Sequence, residues 1–85
     1  MITKEFINYA MSAEQWSLNN ELLVNVDYEN IELAHFLLTD PRLPKHADVN
    51  FNKGCCLYVC KSKTMLKYLI IEAGLRLTPE MYLDD

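Results

Sequence analysis

The sequence predicts an all-α protein built from stacked helix hairpins, and two observations carry this prediction. The run Ala34–Leu38 is echoed 32 residues later by Leu66–Ile70, and each position keeps its class of side chain: apolar, basic or polar, aromatic, apolar, apolar. A self-similarity of about 33 residues is typical of repeat proteins, in which one supersecondary unit is copied and stacked. In addition, no segment shows the sustained apolar–polar alternation of a strand, so we expect little or no sheet.

Length and composition indicate one ordinary globular domain. The chain has 85 residues, of which 51% are hydrophobic and 24% charged. We expect no membrane span and no secretory signal, because no apolar run approaches about 18 residues and the N-terminus carries charge early. The three cysteines lie within six positions, which is unlike a disulfide framework. These features favour a reduced, cytoplasmic protein.

The first half of the chain predicts three helices. Thr3 is a suitable N-cap for the first helix, which should end before Ser12. Ser12 and Gln15 have the spacing of a capping box, which predicts a turn or a helix restart at that point. The second helix is expected over about 19–26. Its buried stripe should consist of Leu22, Leu23 and Val26.

A third helix is expected from Ile31 to about Thr39. Asn30 is placed to cap its start. Pro41 should end it, because the residue before a proline avoids helical dihedral angles. We interpret residues 40–50 as a loop.

The second half predicts a tight turn followed by two helices. The turn should form at Asn52–Gly54, since Asn and Gly tolerate turn dihedral angles. A short helix should follow over 55–61, with Leu57 and Cys60 on one face. Thr64 should cap a helix over 65–73, and Gly74 should terminate it. The expected buried face of this helix is Leu66, Leu69, Ile70 and Ala73. A short C-terminal helical turn is expected from Thr78 and Pro79.

Residues 18–79 resemble ankyrin repeats. Leu57–Cys60 is similar to the Leu-His-x-Ala stretch of the family's first helix, and Leu69–Gly74 to the Leu-Leu-x-x-Gly that closes its second. Ala47–Asn50 reads Ala-Asp-Val-Asn, like the start of the family's finger. The chain departs from the family at Cys55–Cys56, where the family has Thr-Pro. The further similarities lie in Asn30–Leu38, which matches a second helix, and in Thr78–Pro79, which matches the start of a first helix.

The resemblance implies a single ankyrin-like domain with two repeats and two caps. Residues 1–17 would form the N-terminal cap, 18–47 repeat one and its linker, 48–77 repeat two, and 78–85 the C-terminal cap. A lone repeat cannot bury its apolar face, so the ends of the stack need covering. We expect Phe6, Met11 and Trp16 to cover one end, and Met81, Tyr82 and Leu83 the other.

The resemblance also implies a non-enzymatic protein that binds another protein through its finger and through the turn between paired helices. Carried onto this chain, the partner-binding residues are Tyr28, Glu29, Phe51, Asn52, Lys53, Cys55, Ser62 and Lys63. Phe51 is the candidate aromatic anchor. The alternative reading of these positions is a set of ordinary solvated loop residues.

The charge is segregated along the chain, although the net charge is only −4. Residues 1–40 hold seven anions and one cation, residues 41–67 six cations and one anion, and residues 68–85 four anions and one cation. This pattern fits either solvated faces or a docking surface that steers a partner of complementary sign.

Other classes of function have weaker support. Cys55, Cys56, Cys60 and His46 lack the paired spacing of a structural zinc site, so we expect no metal and no cofactor. Neither His35 nor His46 has a neighbouring nucleophile that would indicate catalysis. A pI near 5.0 disfavours nucleic-acid binding, and seven acidic residues over the first forty are few for a nucleic-acid mimic. A nucleic-acid-binding or nucleic-acid-mimic protein is therefore the alternative to a protein-binding module. The small size suggests a phage or viral inhibitor or adaptor, and an incomplete stack suggests self-association through a repeat end.

Overall fold

The computed structural model describes residues 2–76, and every regular element within them is helical, so the all-α prediction is confirmed. The expected C-terminal turn at Thr78–Pro79 and the cap formed by 78–85 lie outside the described residues. Along the chain, the elements are α1 (Lys4–Ser12), α2 (Gln15–Asp27), α3 (Ile31–Thr39), α4 (Phe51–Gly54), α5 (Cys56–Val59), α6 (Lys63–Lys67) and a π-helical turn (Tyr68–Glu72) that continues α6. None of the helices in the described part of the chain combines the length and the apolar character that a membrane crossing requires.

Helix α1 begins as expected and α2 does not. The Thr3 hydroxyl accepts a hydrogen bond from the Phe6 backbone N–H at 3.1 Å, which confirms the first cap. The predicted capping box at Ser12 is wrong, because the Ser12 hydroxyl donates back into the last turn of α1. The side chain of Gln15 reaches instead to the carbonyl oxygen of His46, at 2.8 Å. Helix α2 therefore begins at Gln15, four residues earlier than expected.

Helices α2 and α3 form an antiparallel hairpin that contributes much of the core. The fully buried residues of α2 are Leu18, Leu22 and Val26. Asn30 accepts a hydrogen bond from the Leu33 N–H at 3.2 Å, so the predicted cap of α3 is confirmed. The helix ends at Thr39 because Asp40, which precedes Pro41, is extended.

The tight turn is present at α4, and it alters the face that α5 presents to the core. Asn52, Lys53 and Gly54 all have positive φ, at 49°, 59° and 76°. This left-handed turn redirects the chain, and α5 is a single turn that begins at Cys56. Its fully buried residue is Cys56, whereas the predicted inward residues, Leu57 and Cys60, are only partly buried.

The last helix also differs from its predicted start and face. Ser62 rather than Thr64 is the cap, since its hydroxyl accepts the Met65 N–H at 3.0 Å. Met65 and Leu69 are fully buried, while the predicted Ile70 and Ala73 are partly buried. The π-helical turn over 68–72 widens the end of the helix, so the residues after Leu69 no longer follow a 3.6-residue period. Gly74 has a φ of 80°, as its predicted terminating role requires.

The two halves of the chain lie side by side. Helix α2 packs against α3 and against α5. The His35 ring of α3 contacts the Tyr68 ring of the π-helical turn, with centroids 5.9 Å apart and His35 Nδ1 3.1 Å from the Tyr68 hydroxyl. The echoed leucines, Leu37 and Leu69, are both fully buried. The helices that contain the sequence echo are therefore neighbours.

Helix α1 contacts α3 through an aromatic pair. The Phe6 ring lies 5.9 Å from the Phe36 ring, so Phe6 covers this end of the helix pair as expected. Trp16 and Met11 do not share this role, because their side chains are 67% and 43% exposed. Trp16 lies beyond the loop between α1 and α2, on the side of α2 that faces away from the core.

Candidate protein-binding surface

The predicted site residues fall into two groups at opposite ends of the second helix pair. We call the first the turn group: Tyr28, Glu29, Ser62 and Lys63. We call the second the finger group: Phe51, Asn52, Lys53 and Cys55. The finger group lies near the end of the π-helical turn, because Asn50 exchanges hydrogen bonds with the Gly74 carbonyl and the Arg76 N–H. Since α6 and this turn together span 63–72, the two groups are about 15 Å apart.

A salt bridge lies beside the turn group. Lys61 Nζ lies 2.9 Å from the Asp27 carboxylate, which joins the end of α2 to the segment after α5. The hydrogen bond to Asp27 is the main reason why the pKa of Lys61 is raised, and Glu29 adds to the effect. Tyr28 is 75% exposed beside this bridge. Ser62 serves as the cap of α6, so its hydroxyl is engaged within the fold.

The finger group offers fewer free side chains than predicted. Phe51 is partly buried and packs against the core, so most of its ring is unavailable as an anchor. Cys55 is also partly buried, and burial raises the pKa of its thiol. Asn52 and Lys53 are exposed. Their left-handed backbone is uncommon for residues other than glycine.

Sequence reasoning missed a larger exposed surface on α2. Residues four apart on a helix lie about 40° apart around its axis, so they form a stripe. Leu18, Leu22 and Val26 form the buried stripe. A second stripe, offset by two residues and therefore by about 200°, faces solvent. We call this second stripe the α2 outer face: Trp16, Asn20, Val24 and Tyr28.

The α2 outer face is unusually apolar for a solvent-facing stripe. Trp16 is 67% exposed, Val24 45% and Tyr28 75%. The two interleaved stripes were readable from the sequence, because both have a spacing of four residues. The signal was missed because the start of α2 was placed at residue 19, beyond Trp16.

Tyr58 belongs to α5, a helix that packs against α2. At the start of α2, Asn19 Oδ1 accepts the Asp48 N–H at 2.9 Å. At its end, Asp27 meets Lys61. The segment 48–61 therefore runs in the same direction as α2. Tyr58 lies three residues before Lys61 and is 59% exposed.

Helix α2 and its flanking turns carry acidic residues and no Lys or Arg. The sequence holds seven Asp and Glu residues between Glu5 and Pro41, and no Lys or Arg. Glu21 and Glu29 have no salt bridge within residues 2–76. Lys61 neutralises Asp27 at one end of the face, and Lys45 lies 3.9 Å from Glu14 near the other.

The cysteines form no chemical centre in the described part of the chain. Residues 2–76 contain no group of three His, Cys, Asp or Glu side chains placed to hold a metal ion. Burial raises the pKa of the Cys56 thiol to about 12, so that thiol is a poor nucleophile near neutral pH.

Comparison of the chain with family models, curated proteins and solved structures gives no significant match.

Proposed function

We propose that this protein is a non-enzymatic protein–protein interaction module that binds its partner through the α2 outer face and Tyr58. The observation that supports this proposal is the set of large apolar side chains exposed along α2 and α5. Contiguous apolar surface on a small protein marks interaction sites more often than isolated apolar residues do. Trp and Tyr are also the residues that most often dominate binding energy at interfaces.

The scaffold we propose is an ankyrin-like pair of helix hairpins. The contact between His35 and Tyr68, 33 positions apart, and the parallel course of α2 and 48–61 support this arrangement. In such a stack, the first helices of successive repeats lie side by side, and their free faces form one surface. The predicted turn group borders this surface, whereas the finger group lies at the other end of α5.

The biological setting is a further part of the proposal. We propose an inhibitor or adaptor, of the compact kind found in phages and viruses, acting in the cytoplasm on a host protein. The acidic α2 region suits a basic partner by charge complementarity.

A nucleic-acid role is the second candidate, and one observation favours it. Lys63 and Lys67 lie one turn apart on α6, and neither has a salt bridge within the described residues. They could contact successive phosphates, in which case binding to DNA would weaken steeply with salt. Retention on a DNA column that Lys63→Glu abolishes would favour this candidate.

Affinity capture with matched variants tests the proposed function. The tagged protein is incubated with an extract of its source cells, and retained proteins are identified by mass spectrometry. A double variant, Trp16→Ala with Tyr58→Ala, should lose at least tenfold of the specific partner, because it removes two aromatic anchors. The control, Tyr9→Ala with Ile71→Ala, removes similarly exposed side chains elsewhere and should retain the partner.

Two results would contradict the proposal. One is equal recovery of the partner by the Trp16/Tyr58 variant and by the wild type. The other is equal loss with both double variants, which would indicate general surface stickiness. The single variants Lys53→Glu and Lys63→Glu test the finger group and the turn group separately. Unchanged recovery of the partner by both would show that neither lysine contributes to binding.

A further inference from the structure

We propose that the segment recognised by the α2 outer face is a cationic amphipathic helix of the partner protein. This inference rests on the proposed function and specifies the chemistry of the ligand. It follows from three properties of the surface: its length, its apolar stripe and the sign of the surrounding charge.

The length and shape of the surface suit a helix. From Trp16 to Tyr28 the α2 outer face extends about 18 Å, which is the length of a helix of about 12 residues. Tyr58, on the helix α5 that packs against α2, adds a further exposed aromatic side chain. An amphipathic helix would bury its own apolar stripe against these side chains, as helices do in the grooves of many binding proteins.

The charge selects a basic helix over an acidic one. Glu21 and Glu29 border the α2 outer face without a salt bridge in residues 2–76. Lys or Arg residues on the flanks of a bound helix would meet these carboxylates, and such pairs at the rim of an interface steer association and suppress wrong partners. An acidic helix would instead meet like charge at Glu21, near the middle of the face.

A second copy of the chain is a poorer occupant. The net charge of −4 opposes association between copies. Three of the chain's own cations are already paired within the molecule: Arg42 with Asp40, Lys45 with Glu14 and Lys61 with Asp27. Nucleic acid is also a poor occupant of this face, because the carboxylates of Glu21 and Glu29 would repel its phosphates.

The chain contains its own reporter for this interaction. Trp16 is the single tryptophan and is 67% exposed. Burial of an exposed indole shifts its fluorescence to shorter wavelength. The probe is a synthetic helical peptide of Leu and Lys, of about 15 residues and without Trp, so that it spans the face with a margin. A Leu–Glu peptide with the same pattern and a peptide of Lys alone are the controls.

The expected result is a saturable shift with the Leu–Lys peptide that weakens as salt is added. The Leu–Glu peptide should give no shift, and the Lys peptide should bind at least tenfold more weakly, because it lacks the apolar stripe. The double variant Glu21→Lys with Glu29→Lys should weaken binding of the Leu–Lys peptide about tenfold, since it replaces attraction by repulsion at two positions. Glu5→Lys with Glu72→Lys, which changes the net charge equally at other sites, should leave binding within about threefold of the wild type.

Several outcomes would overturn the inference. They are the absence of a shift with the Leu–Lys peptide, equal binding of the Leu–Glu peptide, and equal weakening by both pairs of charge reversals. A shift that depends on protein concentration without any peptide would assign the face to self-association. If Trp16→Ala with Tyr58→Ala abolishes partner capture while the Leu–Lys peptide does not bind, the basic-helix inference fails and the proposed function stands.

Discussion

The contact between His35 and Tyr68 gives a direct test of the side-by-side arrangement of the two helix pairs. The two rings meet edge to face with centroids 5.9 Å apart, and His35 Nδ1 lies 3.1 Å from the Tyr68 hydroxyl. The perturbation is a double-mutant cycle with His35→Ala, Tyr68→Ala and the double variant. A third variant, Tyr68→Phe, keeps the ring and removes only the hydroxyl.

The structure sets the size of the expected coupling. A neutral hydrogen bond contributes about 0.5–1.5 kcal/mol, and the lower half of that range applies here because His35 is exposed and water competes for it. Edge-to-face ring contacts contribute about 0.5 kcal/mol more at the low end of their range. We therefore expect a coupling free energy of about 1 kcal/mol, of which Tyr68→Phe alone should remove about half. For a domain of this size, 1 kcal/mol corresponds to about 4–8 °C in the melting temperature.

Urea unfolding followed by far-ultraviolet circular dichroism measures each corner of the cycle. Tyr58→Phe is the matched control, because the Tyr58 side chain is exposed and its hydroxyl has no hydrogen bond within the described residues. That control should change the free energy of unfolding by less than about 0.5 kcal/mol. If the effects of His35→Ala and Tyr68→Ala simply add, the rings are not in contact in solution, and the reasoning that places the two helix pairs side by side is wrong.

Three other predictions concern the core and its charges. Leu69→Ala should lower the free energy of unfolding by about 2–5 kcal/mol, because Leu69 is fully buried. The control Ile71→Ala, at a 72% exposed position, should change it by less than about 0.5 kcal/mol, and urea titration measures both. Cys56 should resist alkylation in the native protein near pH 8 and react after denaturation, because burial raises the pKa of its thiol to about 12. Peptide mass spectrometry identifies the labelled cysteine, and rapid labelling of Cys56 in the native protein would contradict its burial. Hydrogen bonds from Arg42 lower the Asp40 pKa from 3.8 to about 2, so this carboxylate stabilises the native state above about pH 4 and loses that contribution as the pH falls towards 2. Asp40→Asn should therefore reduce the dependence of the urea midpoint on pH between about 4 and 2. An unchanged dependence would show that the Asp40–Arg42 pair contributes nothing to stability.

Sequence reasoning succeeded where a local rule decides the structure. Thr3 and Asn30 cap their helices through hydrogen bonds to residues three positions later, and such contacts can be read from neighbouring letters. Pro41 ends α3 by a constraint on the residue before it. The left-handed Gly74 terminates the last helix for the same kind of reason.

Sequence reasoning failed where a distant contact decides the structure. Gln15 looks like the end of a capping box, but its side chain bonds to the carbonyl of His46, 31 positions away. The inward position of Cys56 depends on the left-handed turn before it, and the π-helical turn shifts the face that Ile70 and Ala73 present. These outcomes depend on tertiary packing, which overrides local propensity.

The residues of the candidate surface also divide into those that the sequence alone predicts and those that depend on distant contacts. Trp16 and Val24 could have been found from their spacing relative to Leu18 and Leu22, because both stripes lie on one helix. Tyr58 could not, because its position relative to α2 depends on the register between α2 and the segment 48–61. That register is set by hydrogen bonds and a salt bridge between residues about 30 positions apart in the chain.

The buried stripe and the outer face of α2 allow mutations to separate effects on folding from effects on the proposed binding. Leu22 is fully buried, so a change there alters stability first and any binding loss would be indirect. Trp16 is largely exposed, so its replacement leaves the folded state close to its original stability. A loss of partner with Trp16→Ala at unchanged melting temperature would therefore come from the surface itself. The fold alone does not require an indole at that position, since a polar residue would satisfy a solvent-facing site equally well. Under the proposed function, burial of the indole by a partner would be the reason for it.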